Sequence, residues 1–499
     1  MKKLLFTWML CACAIGAAAS SFSGNYTVVG TSTVSGTTTL AIEQSGDTYT
    51  LTIDSWALDG AIQEALTIEG LYAATSGNYT VYTAANAAAT IGSTATTATV
   101  TARVLGDYAV ADIALIGENA TIAFTNVGDH FQLPNADMEA WTASSGEPDH
   151  WHGFKSATGT YKSTSSSNIK LEKSTDVHSG STGEYSAVMT AAKILFVIAN
   201  GTMTNGQLVA GSMTAASTDN HAEMSKTSTN TDNNGDLFYM DLYAKPDTFS
   251  VWLKYTQGTT NSSYKASVSA VAFDGSYYQE PYDSDYDCVA GRAKNAAIAA
   301  CDWSRFAIPF DYASYADNNA EAAAIFVTFA TNATPGTGSK GDQLYVDDIE
   351  LIYNASLTDL KYQGTTLTGF DAAVTEYAID LSENVAPSLD DVTATIEGAS
   401  AVLTKSLESF DGGWRVYVTV VSGDLLKATT YVITFNAPTD EGDINMDGLV
   451  NSDDVTTLID YLLGNNPMPC NLAACDVDDN GTINSDDVTA LINILLNEK

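Results

Sequence analysis

A twelve-residue acidic loop occurs twice near the C-terminus, as DINMDGLVNSDD from Asp443 to Asp454 and as DVDDNGTINSDD from Asp476 to Asp487. In each copy an oxygen-bearing side chain falls at loop positions 1, 3, 5, 9 and 12: Asp443, Asn445, Asp447, Asn451 and Asp454, then Asp476, Asp478, Asn480, Asn484 and Asp487. Gly448 and Gly481 stand at position 6, where the chain must turn sharply, and the carbonyls of Leu449 and Thr482 are available at position 7. This is the spacing of an EF-hand-like loop, and Ca²⁺, a hard cation that takes six to eight oxygens, suits such a set. Asp rather than Glu closes both loops. Each loop runs into a helical stripe, Val455, Leu458, Ile459 and Leu462 in the first copy and Val488, Leu491, Ile492 and Leu495 in the second. A solvated turn explains one such cluster, but not two in register with the same helix behind each.

The duplicated loop and helix, from about Gly442 to Leu496, resemble the type I dockerin module, which anchors secreted proteins to cohesin modules. The resemblance implies two bound calcium ions and a cohesin-like partner. In that family the partner is read at loop positions 10 and 11, here Ser452 and Asp453, then Ser485 and Asp486. Helix positions that are often basic in clostridial members are Asp460, Gly464, Asn493 and Asn497 here, which argues against a clostridial type of cohesin.

With 499 residues the chain is expected to hold several domains. MKKLLFTWMLCACAIGAAAS reads as a signal peptide, residues 1–19, with Lys2 and Lys3 before an apolar run and small residues before Ser20. A lipid anchor on Cys13 is the alternative. No later apolar run approaches the length of a membrane helix. The protein is therefore expected to be secreted or held at the cell surface. Its 60 acidic and 21 basic residues, a formal charge of −39, repel phosphate backbones and exclude nucleic acid as a partner. An oxidising compartment permits Cys288–Cys301 and Cys470–Cys475 disulfides, with free buried thiols as the alternative.

The fold class read from the sequence is mainly β and multidomain: a small β-barrel, a jelly-roll β-sandwich, an Ig-like β-sandwich, then the small α-helical calcium-binding dockerin. Over residues 20–127, Thr-rich alternation with turn signals gives strands: Leu40 and Ile42 share a face, Ser45–Asp47 turns, and Tyr49, Leu51 and Ile53 return. FSGNYTVVG and ADIALIGENATIAFTNV resemble the calycin-like β-barrel domain of secreted Bacteroidetes proteins. Such a barrel either holds a small apolar ligand or is filled by its own side chains. Residues 129–353 open with FQLPNADMEAW and close with GDQLYVDDIELIY. Together with NGTMTNGQLVAGSM and WSRFAIPFDY, these motifs resemble the putative carbohydrate metabolism domain of Bacteroidetes, a jelly roll akin to carbohydrate-binding modules. That resemblance implies a structural calcium between Glu139 and Asp348. Residues 354–437 resemble an immunoglobulin-like spacer, and the dockerin occupies 440–499.

No zincin helix, nucleophile elbow or phosphate loop occurs. Of five histidines, His150 and His152 have the i, i+2 spacing of a strand face that can hold a metal, but no third ligand lies nearby in sequence. Glycosidase chemistry needs two carboxylates across a bond, and no spacing singles out a pair. Whether the chain is an enzyme is left open; if it is, an O-glycosyl hydrolase is expected. Aromatic residues are more informative, because sugars stack their C–H faces on rings. Trp141, Trp252 and Trp303 suit a core. The polar patch of Tyr277, Tyr278, Tyr282 and Tyr286, with Trp151, suits a glycan face. The function expected is an exported modular glycan-binding protein of polysaccharide utilisation, docked by its tail. A glycoside hydrolase of polysaccharide catabolism and a surface adhesin or structural protein are the alternatives.

Overall fold

The computed structural model describes residues 20–142, 146–232, 234–284, 286–381, 385–410, 412–437, 442–445, 449–465 and 474–497. Residues 1–19, including Cys13, and Asp447, Gly448 and Cys470 lie outside the described residues. The chain is mainly β, 49% strand and 8% helix, so sheet packing governs everything but the tail.

Eight antiparallel strands between Ser20 and Thr125 close into a barrel, with Ser20–Val29 pairing both Thr33–Ser45 and Ala120–Thr125. Alternation fixes what the barrel contains: Leu40, Ile42, Leu51, Ile53, Val100 and Phe124 all point inward and are buried in one cluster. The interior is thus filled by side chains. Trp56, 1% exposed, plugs one end and donates its indole N–H to the Glu64 carbonyl at 3.0 Å.

The middle region is layered. A five-stranded sheet runs in the order Lys170–Ser174, Ser186–Thr190, Gln343–Ile352, Thr248–Thr256, Cys301–Pro309. It faces a four-stranded sheet in the order Thr202–Thr204, Ala324–Ala330, Ala266–Phe273, Val289–Ile298. Phe249, Val251, Leu253, Val268, Ile325 and Phe329 fill the space between them. The four-stranded sheet is covered on its other face as well. There Val271, Phe273 and Phe326 pack against Leu208, Ala222, Met224 and Tyr278 of a small sheet formed by Gln207–Ala210, Asn220–Met224 and Tyr278–Glu280. Period-two alternation therefore sends Val268 one way and Ser267 and Ser269 the other, and the second set floors the site described below.

A third unit is a sandwich of two small sheets around Leu357, Val416, Tyr431 and Phe435, in which Glu376–Asp380 runs parallel to Ala428–Asn436. Asp247 of the middle region ties it down by accepting from the backbone N–H of Asn354 and of Ala399, both at 2.7 Å. Two short helices, Ser452–Leu462 and Ser485–Asn497, form the tail.

The thiols correct one expectation. Cys288 and Cys301 are free, so no disulfide joins them. Cys288 is buried beside the Tyr277 carbonyl, 3.9 Å away, and burial pushes its thiol up to about 11, which keeps it protonated and unreactive.

Candidate functional site

The small sheet does not cover the four-stranded sheet completely, and a cavity of about 300 Å³ remains between them. Its floor is polar. Ser269, Thr328, Arg292 and Lys294 alternate outward from three neighbouring strands. Glu280 reaches in from the small sheet and pairs with Arg292, both largely buried. Ser269 donates its hydroxyl to Glu280 Oε1 at 3.1 Å, and Thr328 donates to Oε2 at 3.0 Å. Arg292 Nε donates to Ser269 Oγ at 3.2 Å. The carboxylate is held in one orientation by three partners.

The walls are apolar, and one is a hairpin, Ala192–Ile194 with Val197–Ala199, whose Ile194, Val197 and Ile198 line the cavity. Its tip is Leu195 and Phe196, 72% and 94% exposed. Leu195 sits at φ +51°, a left-handed conformation in which a two-residue turn normally places Asn or Gly. A bulky residue strained at a turn beside a bare phenylalanine contributes little to packing.

The tyrosine patch divides at this rim. Tyr282, 55% exposed, lines the cavity with its ring 6.0 Å from the Arg292 guanidinium. Tyr277 is exposed and donates its hydroxyl to Gln279 Oε1 at 2.7 Å and to Glu223 Oε2 at 3.0 Å. Burial and Glu223 push that phenol far up, so it stays a donor. Tyr286 is partly buried and donates to Asp283 at 2.8 Å. Tyr278 is different. It is 2% exposed in the core beneath the small sheet, because strand alternation turns it opposite to Tyr277. Trp151, 0% exposed, likewise belongs to the sandwich core and donates its indole N–H to the Pro134 carbonyl at 3.2 Å. Neither can face a glycan. Trp141, Trp252 and Trp303 are only partly buried, and Trp252 stacks on His178 at 4.1 Å.

His178 also changes the reading of Glu139 and Asp348. Ligand atoms of His178, Asp347 and Asp348 lie within 4.8 Å of one another, a set that does not include Glu139. His178 Nε2 meets Asp348 Oδ2 at 2.6 Å, while Glu139 Oε1 accepts from the backbone N–H of Glu184 and of Tyr185, both at 2.8 Å. His178 and Asp348 form an Asp–His pair beside Asp347, whose buried Oδ2 has no hydrogen-bond partner and whose carboxyl also feels Glu139. Burial and Asp348 push the Asp347 carboxyl up to about 7.

His150 and His152 do not share a ligand. His150, at φ +67°, turns toward Asp236 at 3.4 Å, whereas His152 is buried 3.7 Å from Asp232 with neither ring nitrogen hydrogen-bonded. Burial, against the pull of Asp232, drops its imidazole to about 4. The unfolded chain takes up this proton near the ordinary 6.5 and the folded chain only near 4, so stability is lost as pH falls through that window, by about 3 kcal/mol. Denaturant midpoints between pH 7 and 4 should fall less steeply for His152→Gln than for the parent; parallel curves would contradict this.

The tail builds two similar loops. Asp454, 0% exposed, accepts from the backbone N–H of Ile444 at 2.8 Å, Asn445 at 3.0 Å and Asn451 at 2.8 Å. Asn451 returns a bond to the Asp453 N–H at 2.7 Å, a capping box that starts the first helix. In the second loop Asp487 accepts from Asp478 N–H at 3.3 Å and Asn484 N–H at 2.7 Å, and Asn484 caps Asp486 at 2.8 Å. Asn480 accepts from Thr482 N–H at 2.9 Å, and Gly481 makes the turn at φ +81°. Carboxylate oxygens of Asp476, Asp478 and Asp487 lie within 4.8 Å of one another, which one cation with Ca–O bonds of about 2.4 Å spans. Asp443 is buried, and Leu449 is exposed at 65%. Gly442, at φ +93°, lets the loop approach the second helix, since a Cβ there would meet Leu491 Cδ1 at 2.6 Å.

Only part of each apolar stripe is interhelical. Leu458 and Leu491 are fully buried, with the half-buried Val455 and Val488 packed against them, whereas Ile459, Leu462 and Ile492 are 39%, 37% and 41% exposed. Ser452, Asp453, Ser485 and Asp486 are exposed at the two helix starts. The tail therefore presents a bare apolar rim with a polar pair at each end.

Residues 441–496 match the dockerin type I domain family and form that domain, an assembly-docking module of a calcium-binding family whose partners are cohesins. The chain is also 34% identical over 86 residues to an exo-beta-1,6-galactobiohydrolase of Bifidobacterium longum subsp. longum, a stretch that is 17% of this chain and 6% of that protein. Among solved structures, SGBP-B from a complex xyloglucan utilization locus in Bacteroides uniformis matches at 8% identity over 63% of this chain and 82% of the other, with a TM-score of 0.17, too slight a likeness to carry over fold or ligand. No helix among the described residues is long and apolar enough to cross a membrane.

Proposed function

We propose that this chain is an exported, modular glycan-binding protein of polysaccharide utilisation, joined to a larger assembly by its dockerin. The dockerin is held folded by two calcium ions and takes a cohesin-like partner through Ser452, Asp453, Ser485 and Asp486 and the apolar rim beside them. Residues 129–353 carry the glycan site, residues 20–127 and 354–437 act as a packed barrel and a spacer, and residues 1–19 direct export. The observation that supports the glycan reading most is the polar-floored cavity walled by a hairpin whose tip, Leu195 and Phe196, is bare, since an exposed ring near a hydroxyl-lined pocket suits a sugar's two faces. Binding is favoured over cleavage because the cavity holds one carboxylate, Glu280, already engaged by three partners, whereas glycoside hydrolysis needs two flanking the bond.

Affinity electrophoresis of the full chain through a panel of neutral and acidic polysaccharides tests this. At least one glycan should retard it, and Phe196→Ser should weaken that retardation roughly fivefold, the equivalent of about 1 kcal/mol of ring contact. Because Phe196 is 94% exposed, the variant should melt with the parent. Retardation by no glycan contradicts the reading.

A further inference from the structure

The charge of the cavity is unusual for this chain. Acidic residues outnumber basic ones 60 to 21, yet the strand Val289–Ile298 places two cations, Arg292 and Lys294, on the cavity face at consecutive outward positions. Glu280 is the one carboxylate among the lining residues, and its oxygens are taken by Arg292, Ser269 and Thr328. His221 also lines the cavity but already pairs with Glu223 at 3.2 Å. Lys294 is left over. Among the described residues no carboxylate lies within ion-pair distance of it, although it faces the cavity.

Lys294 is exposed on the cavity face next to Arg292, and partial desolvation first, with Arg292 second, holds its amine below the ordinary lysine range. Neutral sugars need no such cation. A carboxylate on a sugar ring would pair with it, and the rest of the lining suits the ring itself: Ile194, Val197 and Tyr282 for the C–H faces and Thr328 for hydroxyls. A volume of about 300 Å³ admits a unit of one or two sugar rings.

We infer that the cavity takes an acidic sugar, a uronate within a glycan, with Lys294 as the counter-ion and the Arg292–Glu280 pair as a fixed floor. This rests on the glycan-binding reading above and narrows it. The net negative charge of the whole protein then makes selectivity depend on this one contact rather than on long-range attraction.

The test uses the full chain and immobilised oligogalacturonate, oligomannuronate and oligoglucuronate of defined length, each beside its carboxyl-reduced counterpart and a set of neutral oligosaccharides. At least one uronate should bind, with its reduced form about tenfold weaker or worse, the usual scale for losing a hydrogen bond to a charged group. Lys294→Met, which keeps most of the stem of an exposed side chain, should lose the same factor for the uronate and nothing for the reduced form. Binding of neutral sugars alone, or equal uronate binding by parent and Lys294→Met, overturns the acidic-sugar inference and leaves glycan binding standing. Binding to nothing on the surface overturns both.

Discussion

Chelation of Ca²⁺ in the full chain should abolish the helical circular dichroism of residues 441–496 and leave the β signal of the remainder intact. The cause is electrostatic. Asp476, Asp478 and Asp487 crowd their oxygens within 4.8 Å, and Asp454 and Asp487 are fully buried while holding the loop amides that start each helix. Without a cation those carboxylates repel, and the buried pair Leu458 and Leu491 is too small a core to hold so short a segment. Metal binding is then coupled to folding, because an unfolded chain has no site. Calcium at a hundred times its dissociation constant adds about 3 kcal/mol per site. Asp454→Ala combined with Asp487→Ala should reproduce the chelated state in excess Ca²⁺. Helicity indifferent to both treatments would separate the fold of the tail from the ion.

The second large effect lies under the cavity. Glu280→Ala leaves the Arg292 guanidinium, 13% exposed, with no carboxylate, and removing one partner of a buried pair costs about 3–5 kcal/mol. Arg292→Met in the same chain should recover most of the loss, since replacing both charges by apolar groups is often neutral. Urea midpoints of the two single variants, the double variant and the parent decide it. If Glu280→Ala is as stable as the parent, the pair is not the floor described above.

What the sequence disclosed follows from how local each signal is. The paired loops declare themselves because calcium ligands sit at fixed offsets within twelve residues, and strand alternation places Leu40, Ile42, Leu51 and Ile53 in one core without knowledge of their partners. The cavity is long-range. Glu280, Arg292 and Thr328 meet only because three strands pair, and nothing local marks them. One signal was nonetheless legible. Arg292 and Lys294 in GRAKNA put two of the chain's 21 basic residues on one face of a strand. The hairpin was masked by its own tip, since ILFVIA carries no Gly, Pro, Asn or Asp at the turn and reads as one strand. The tyrosine patch erred at Tyr278 for a simple reason: composition marks a segment as polar, but alternation sends every second side chain inward. His178 escaped notice because its partners, Asp347 and Asp348, are far away in sequence.

Co-sedimentation of the full chain with insoluble polysaccharides, in Ca²⁺ and again in chelator, with reducing ends assayed in the same tubes, addresses the central claim most directly. The account predicts that the chain pellets with at least one polysaccharide, equally in both buffers because the glycan site and the calcium-dependent tail are separate, and that no reducing ends appear. Failure to pellet with any polysaccharide, or release of reducing ends from the one it binds, would contradict it.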